Sequence, residues 1–334
     1  MKKVLLTITK ILAFLVGILL IVILGMVFSP APTFANPAPS SKTNSIEPLT
    51  CEPNSTVHCL PMRDGTTLAA SWYEANSNIT IVLLHGVKSN RSEMENIAQM
   101  IQDQVGINVL SVDLRGHGNS GGTRGDIQYI GQYEDDLADI VTILRKERPN
   151  ETIIISGHSM GGGIVMRYAS RNDVPKADAY LLFAPHLGIA SPTSQPRTEQ
   201  AQPIEQPTVQ IHLARTIGLS ILNLMNITMF NKLDTLYFNA PDSLAQPNRY
   251  SYRAMASSAP DDYVAALTAD NLPMLVIIGE NDEAFRAEEY PNVISLHTNG
   301  EVVIIPEETH DGIIQNQEVI PAIQDWIIAL KKSK

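Results

Sequence analysis

The sequence predicts an α/β fold: a doubly wound, mostly parallel sheet with a helical cap insertion and an apolar helix at its N-terminal end. Three observations carry this. Short, wholly apolar runs such as Ile81-Val82-Leu83-Leu84 and Ile153-Ile154-Ile155 recur along the chain, as strands covered on both faces require. Stretches of helical period separate them, which is the rhythm of β-α-β units. One run then passes through Gly157-His158-Ser159-Met160-Gly161 into Gly162-Gly163-Ile164, a strand, a tight turn and a helix start in direct succession.

The elements follow in order. Lys2, Lys3 and Lys10 precede an apolar segment from Ile11 to Phe28. That asymmetry puts the N-terminus on the cytoplasmic side and the rest of the chain outside. At 18 residues the segment exceeds a signal-peptide core and approaches a membrane span. Residues 1–28 are therefore read as an uncleaved signal anchor, with cleavage after Thr33-Phe34-Ala35 as the alternative, which would leave a secreted or periplasmic protein. Residues 29–50, rich in Pro, Ser, Asn and Ala, read as a tether. Cys51 and Cys59, the only two cysteines, are expected to form a disulfide in an exported chain.

Residues 51–334 carry the folded domain. A turn at Arg63-Asp64-Gly65 opens the sheet as a hairpin. Strands are expected over 68–74, 79–84, 107–113, 153–156 and 179–183, and helices over 93–104, 129–146 and 160–170. The rhythm breaks over about 186–262, read as a cap insertion. Its apolar run from Ile211 to Phe230 is richer than one helical stripe needs. Two readings stay open for it: a helix packed on the core, or a lid whose face, with Leu222 and Met225, also meets a bilayer. Strands return over 273–278 and 301–305, and a helix closes the chain.

Ser159 is the candidate nucleophile, because a serine hydroxyl must be exposed on a tight turn, near a base, to react. Two later strands end in loops that supply partners. The first leads into Gly279-Glu280-Asn281-Asp282-Glu283, where Asp282 is chosen as the acid, with Glu280 and Glu283 as rivals. The second leads to His310, the candidate base; His297 precedes that strand and would lie at the opposite sheet edge. The strand ending in His85-Gly86-Val87 is positioned to aim an amide at the serine. The N–H groups of Val87 and Met160 are the candidate oxyanion donors. His85, His117 and His158 are read as structural.

Leu83-Leu84-His85-Gly86, Val112-Asp113-Leu114-Arg115-Gly116-His117-Gly118-Asn119-Ser120, Gly157-His158-Ser159-Met160-Gly161-Gly162, the Gly279 to Asp282 turn and His310 together resemble the monoacylglycerol lipase and lysophospholipase-like (serine aminopeptidase S33-type) branch of the α/β-hydrolases. The likeness covers roughly residues 67–330 apart from the cap. It implies an α/β-hydrolase fold and a serine hydrolase that forms an acyl-enzyme on carboxylic esters, often of monoacyl lipids, which the N-terminal segment would make an exported one. The same branch includes peptidases, so an amidase with this machinery is the alternative. A silent binding module on the same scaffold is a more distant one.

No metal or organic cofactor is expected, since the triad and two amides supply nucleophile, base and charge stabilisation. A formal net charge of −11, with no basic run beyond the N-terminal lysines, argues against nucleic acid as a partner. It suits neutral or zwitterionic acyl substrates, with the membrane contacted through the N-terminal segment.

Overall fold

The apolar runs pair into one sheet. In the computed structural model, which describes residues 2–38, 57–195, 208–240 and 246–332, the chain begins with helix α1 (Lys2–Val27). A hairpin of β1 (Val57–Pro61) and β2 (Thr67–Tyr73) follows, then β3 (Ile79–Leu84) and α2 (Glu95–Met100), which a wider π-type turn prolongs through Val105. Next come β4 (Asn108–Val112), α3 (Gln132–Glu147), β5 (Thr152–His158), α4 (Met160–Ala169) and β6 (Ala179–Phe183). The cap insertion holds β7 (Val209–Ile211), α5 (Leu213–Leu224), β8 (Asp234–Phe238), β9 (Arg249–Ser251) and α6 (Tyr252–Ala256). The chain then returns through α7 (Tyr263–Thr268) to β10 (Met274–Gly279), α8 (Tyr290–His297), β11 (Glu301–Ile305) and α9 (Val319–Lys332).

The eight-stranded sheet runs β1-β2-β4-β3-β5-β6-β10-β11. From β4 to β11 every pairing is parallel, whereas β2 is antiparallel to both β1 and β4. Strands β3, β5, β6 and β10 are buried along their whole length, which is why they are continuous apolar runs rather than alternating ones. The Gly65 turn adopts φ 81° and closes the β1–β2 hairpin as its sequence requires.

Three features depart from the sequence reading. Strand β1, the first arm of the hairpin expected at Gly65, has no range in the sequence reading, because Val57-His58-Cys59-Leu60-Pro61 alternates weakly and ends in proline. The 211–230 run is not one helix: it opens as β7, continues as the 12-residue α5, and ends in turns around Asn226, whose φ is 59°. The cap also carries an antiparallel sheet of order β7-β8-β9. Leu222, placed on an exposed face by the lid reading alone, is buried against α1 together with Ile23, Val27 and Leu219, while Met225 is exposed. The apolar excess in α5 is thus a second packing face.

The first part of the expected tether is held to the cap. Gln210 donates to the Thr33 carbonyl at 3.2 Å, Asn239 donates to the Asn36 carbonyl at 3.0 Å, and the Ala38 amide donates to Asn239 at 2.8 Å. Cys59 stands in β1 and is not a free thiol. Its expected partner Cys51 lies outside the described residues.

Candidate active site

Ser159 sits where β5 ends and α4 begins, with φ 52° and ψ −114°. A serine in that region is strained, so the surroundings must impose it. They do: its amide donates to the Phe183 carbonyl at 2.9 Å, and its carbonyl accepts from the Gly163 and His186 amides, both at 3.0 Å. The flanking glycines are there for lack of room. A Cβ on Gly157 would lie 2.4 Å from the Gly161 carbonyl carbon, and one on Gly161 would lie 2.6 Å from the Leu84 carbonyl oxygen. Strand, turn and helix can pass this closely only without side chains.

Asp282 and His310, 28 residues apart in sequence, meet beyond the ends of β10 and β11. His310 Nδ1 donates to Asp282 Oδ2 at 2.7 Å, and Asp282 is buried. Asp282 Oδ1 accepts from the amides of Ala284 and Phe285 at 2.9 and 2.7 Å, which fixes the carboxylate and keeps its other oxygen for the imidazole. The rival carboxylates bind backbone instead. Glu280 accepts from the Glu307 amide and Glu283 from the His310 amide, both at 3.0 Å. Glu283 therefore holds the backbone of His310 rather than its ring. His297 ends α8 and packs edge-on against Tyr263, away from this group.

His310 is held from a third side. His158 Nε2 donates to the His310 carbonyl at 3.0 Å, and the two rings lie 4.7 Å apart. Burial and the neighbouring His310 push His158 down to about 3, so it is neutral over the ordinary pH range. His85 accepts from the Leu114 amide through Nε2 and donates to the Gly86 carbonyl through Nδ1, and burial lowers its pKa. These are supporting roles, as the sequence suggested. His158, His310 and Asp311 also bring ligand-type atoms within 4.8 Å of one another. In that group His158 Nε2 and His310 Nδ1 are both committed as hydrogen-bond donors.

Ser159, His310 and Val87 border one cavity of about 540 Å³, with Lys88 and the cap residue Phe238 on its rim. Met160 is the first residue of α4, where the helix dipole favours negative charge. The loop carrying Val87 is fastened from above by a residue the sequence reading missed. Tyr250 of β9 accepts from the Lys88 amide at 2.6 Å and donates to His117 Nε2 at 2.9 Å, while His117 Nδ1 donates to the Arg115 carbonyl at 3.0 Å. Lys88 has φ 53°, so this bond holds a strained residue. Only proximity in the fold reveals Tyr250, because no local pattern singles out a tyrosine in a three-residue strand.

A second cavity of about 450 Å³ opens under the cap, with Ile189, Leu236, Tyr252 and Met255 among its apolar lining. His186 joins it to the Asp282–His310 pair. Its ring stacks on Phe285 at 5.4 Å, and Phe285 in turn meets the edge of His310 at 5.3 Å.

Residues 75–312 match the serine aminopeptidase, S33, family. The chain belongs to that family. Over 91 residues this S33 chain is 36% identical to a monoacylglycerol lipase of Mycolicibacterium smegmatis, a stretch covering 27% of this chain and 32% of the lipase. It spans about a quarter to a third of the length of the first curated relatives it matches, from 26% to 34%. Among solved structures, ferulic acid-bound Est1E from Butyrivibrio proteoclasticus superposes with a TM-score of 0.57 at 18% identity, covering 82% of this chain and 99% of that one. The Paleococcus ferrophilus monoacylglycerol lipase gives 0.55 at 17% identity, covering 79% and 99%. Together these bear out the α/β-hydrolase fold and the monoacylglycerol lipase-like branch of the S33 family.

Proposed function

We propose that this protein is a membrane-anchored serine hydrolase that cleaves lipid-like acyl esters outside the cytoplasm. The observation that carries the reading is the meeting of a buried, doubly fixed Asp282 with His310 at 2.7 Å beside a cavity that also borders a strained Ser159. In this reading Ser159 Oγ attacks the ester carbonyl carbon while His310 Nε2 takes its proton, and Asp282 orients and stabilises the imidazolium. The Val87 and Met160 N–H groups receive the oxyanion. Collapse of the tetrahedral intermediate expels the alcohol, protonated by His310. Water then attacks the acyl-enzyme through the same base and releases the carboxylic acid.

Ester rather than amide substrates are supported by what the nearby acids do. An aminopeptidase needs a carboxylate free to bind a substrate amine. Glu280 and Glu283 are taken up by backbone amides, and Glu288 and Glu289 pair with Arg286 at 3.1 and 2.6 Å. The apolar cavity beside His186 suits an acyl chain. Anchoring rests on α1, a 26-residue helix long and apolar enough to cross a membrane by length and composition.

The test is hydrolysis of aryl esters of graded chain length, a monoacylglycerol and a peptide amide by the full chain and by Ser159→Ala. Ester turnover is expected, falling about 10³-fold or more in the variant. Amide turnover alone would replace the proposal with a peptidase, and unchanged ester turnover in Ser159→Ala would refute the site.

A further inference from the structure

The last turns of α1 are built into the cap. Along most of its length α1 exposes its apolar side chains, yet Ile23 and Val27 are fully buried against Leu219 and Leu222 of α5. The helices approach closely at Gly218, where a Cβ would lie 2.9 Å from Val27 Cγ2. Phe28 meets Phe230 edge-on at 5.3 Å.

Arg215 of α5 completes the junction. Its guanidinium donates to the Val27 carbonyl at 2.9 Å and the Ser29 carbonyl at 3.0 Å, and also to the Asp234 carbonyl and the Tyr237 hydroxyl. A cation at the carboxyl end of α1 also complements its dipole. His212 Nε2 adds a bond to the Ser29 carbonyl at 3.1 Å, while its Nδ1 accepts from the Arg215 amide and so caps α5. Cleavage after Ala35 would strip Leu219 and Leu222 of their cover and leave a buried guanidinium without two of its acceptors, a costly state.

The same helix α5 faces the cavity under the cap through Thr216 and Ser220, on a side adjacent to the one that meets α1. An α-helix is about 10 Å across, so the cavity begins roughly one helix width from the span. Leu213, Ile217, Leu224, Met225 and Met229 are exposed on α5 and the turns after it, and Phe28, exposed at the end of α1, meets Phe230, the residue next to Met229.

We propose that α1 is a retained structural part of the cap, and that its junction with α5 seats this apolar rim in the bilayer α1 spans, so that the cavity takes its acyl chain from a lipid of that leaflet. This rests on the esterase reading above. The occupant of the rim is the bilayer because the rim belongs to a helix packed directly on α1, which is long and apolar enough to span it.

The experiment uses the full chain purified from membranes and reconstituted in phosphatidylcholine vesicles carrying a long-chain monoacylglycerol, with a soluble short-chain ester assayed alongside. Intact mass is expected to show residues before Asn36 retained. Leu224→Glu with Met225→Glu, both at exposed positions, is expected to lower turnover of the vesicle lipid about tenfold and leave the soluble ester within about twofold. A mature protein beginning after Ala35, or equal effects on the two substrates, overturns the proposal. Absence of ester turnover in the unmodified chain would instead sink the esterase reading. The junction is then still decided by mass and by Arg215→Met, which is expected to lower the melting temperature measurably; an unchanged melting temperature counts against it.

Discussion

At the scale of single residues, three carboxylates crowd the turn after β10, and the geometry gives them separate duties. Asp282 binds the imidazole, Glu283 the His310 amide and Glu280 the Glu307 amide. Asp282→Asn should leave the packing intact but present the wrong hydrogen-bonding partner to His310. Turnover of a soluble ester is expected to fall about 10⁴-fold, as loss of the orienting acid does in serine hydrolases. Glu280→Gln and Glu283→Gln keep an acceptor oxygen for the backbone amide and are expected to stay within about tenfold of the parent. Steady-state kinetics on the three variants checks this, and a larger loss in Glu283→Gln than in Asp282→Asn would reassign the acid. Asp282 as the candidate acid could be singled out in sequence because chain order and strand ends restrict it to five residues, and Asp282 is the one that pairs with His310. The separation of the two glutamates was not, because it depends on which amides the 307–310 loop turns toward them.

At the scale of elements, the cap and the loop carrying Val87 and Lys88, proposed to hold an oxyanion donor, are coupled through one hydroxyl. Tyr250→Phe removes the acceptor of the Lys88 amide and the donor to His117 while keeping the buried ring. An unpaired amide in a strained loop should let Val87 drift, so kcat is expected to fall about tenfold with KM changed far less. Unaltered kcat would mean the loop holds itself. The parallel strands were readable from sequence because burial on both faces leaves an unbroken apolar run. The three-residue strands β7 and β9 were not, since neither is long enough to show a period. Strand β1 was hidden by its weak alternation and terminal proline, and it bears on the expected Cys51–Cys59 bridge. Two free thiols in the natively purified chain would remove that bridge, whereas none without reduction and two after it is the expected count.

At the scale of the molecule, contacts such as Arg215 to Val27 join segments 188 residues apart and leave no local trace, so the α1–α5 junction could be seen only in three dimensions. Burial of several histidines around one site has an effect on the whole fold that can be measured. His85 and His117 are lowered by burial, and His158 to about 3, against an ordinary value of 6.5. A histidine whose folded pKa is depressed binds its proton more readily in the unfolded chain. Its contribution is fully present above pH 6.5 and is lost as pH falls from there toward the folded value. For His158 alone, the gap of 1.5 pH units between 6.5 and pH 5 corresponds to about 2 kcal/mol of lost stability at pH 5. Glu134 and Asp136, raised by burial, act with the opposite sign, so the net slope of the parent protein does not isolate the histidine. The difference from His158→Gln does, because glutamine can still donate to the His310 carbonyl yet does not titrate. Melting temperatures of both proteins between pH 5 and 7.5 are expected to converge on acidification, the parent losing more. Parallel curves would show that His158 gains its proton in the folded state as easily as in the unfolded one.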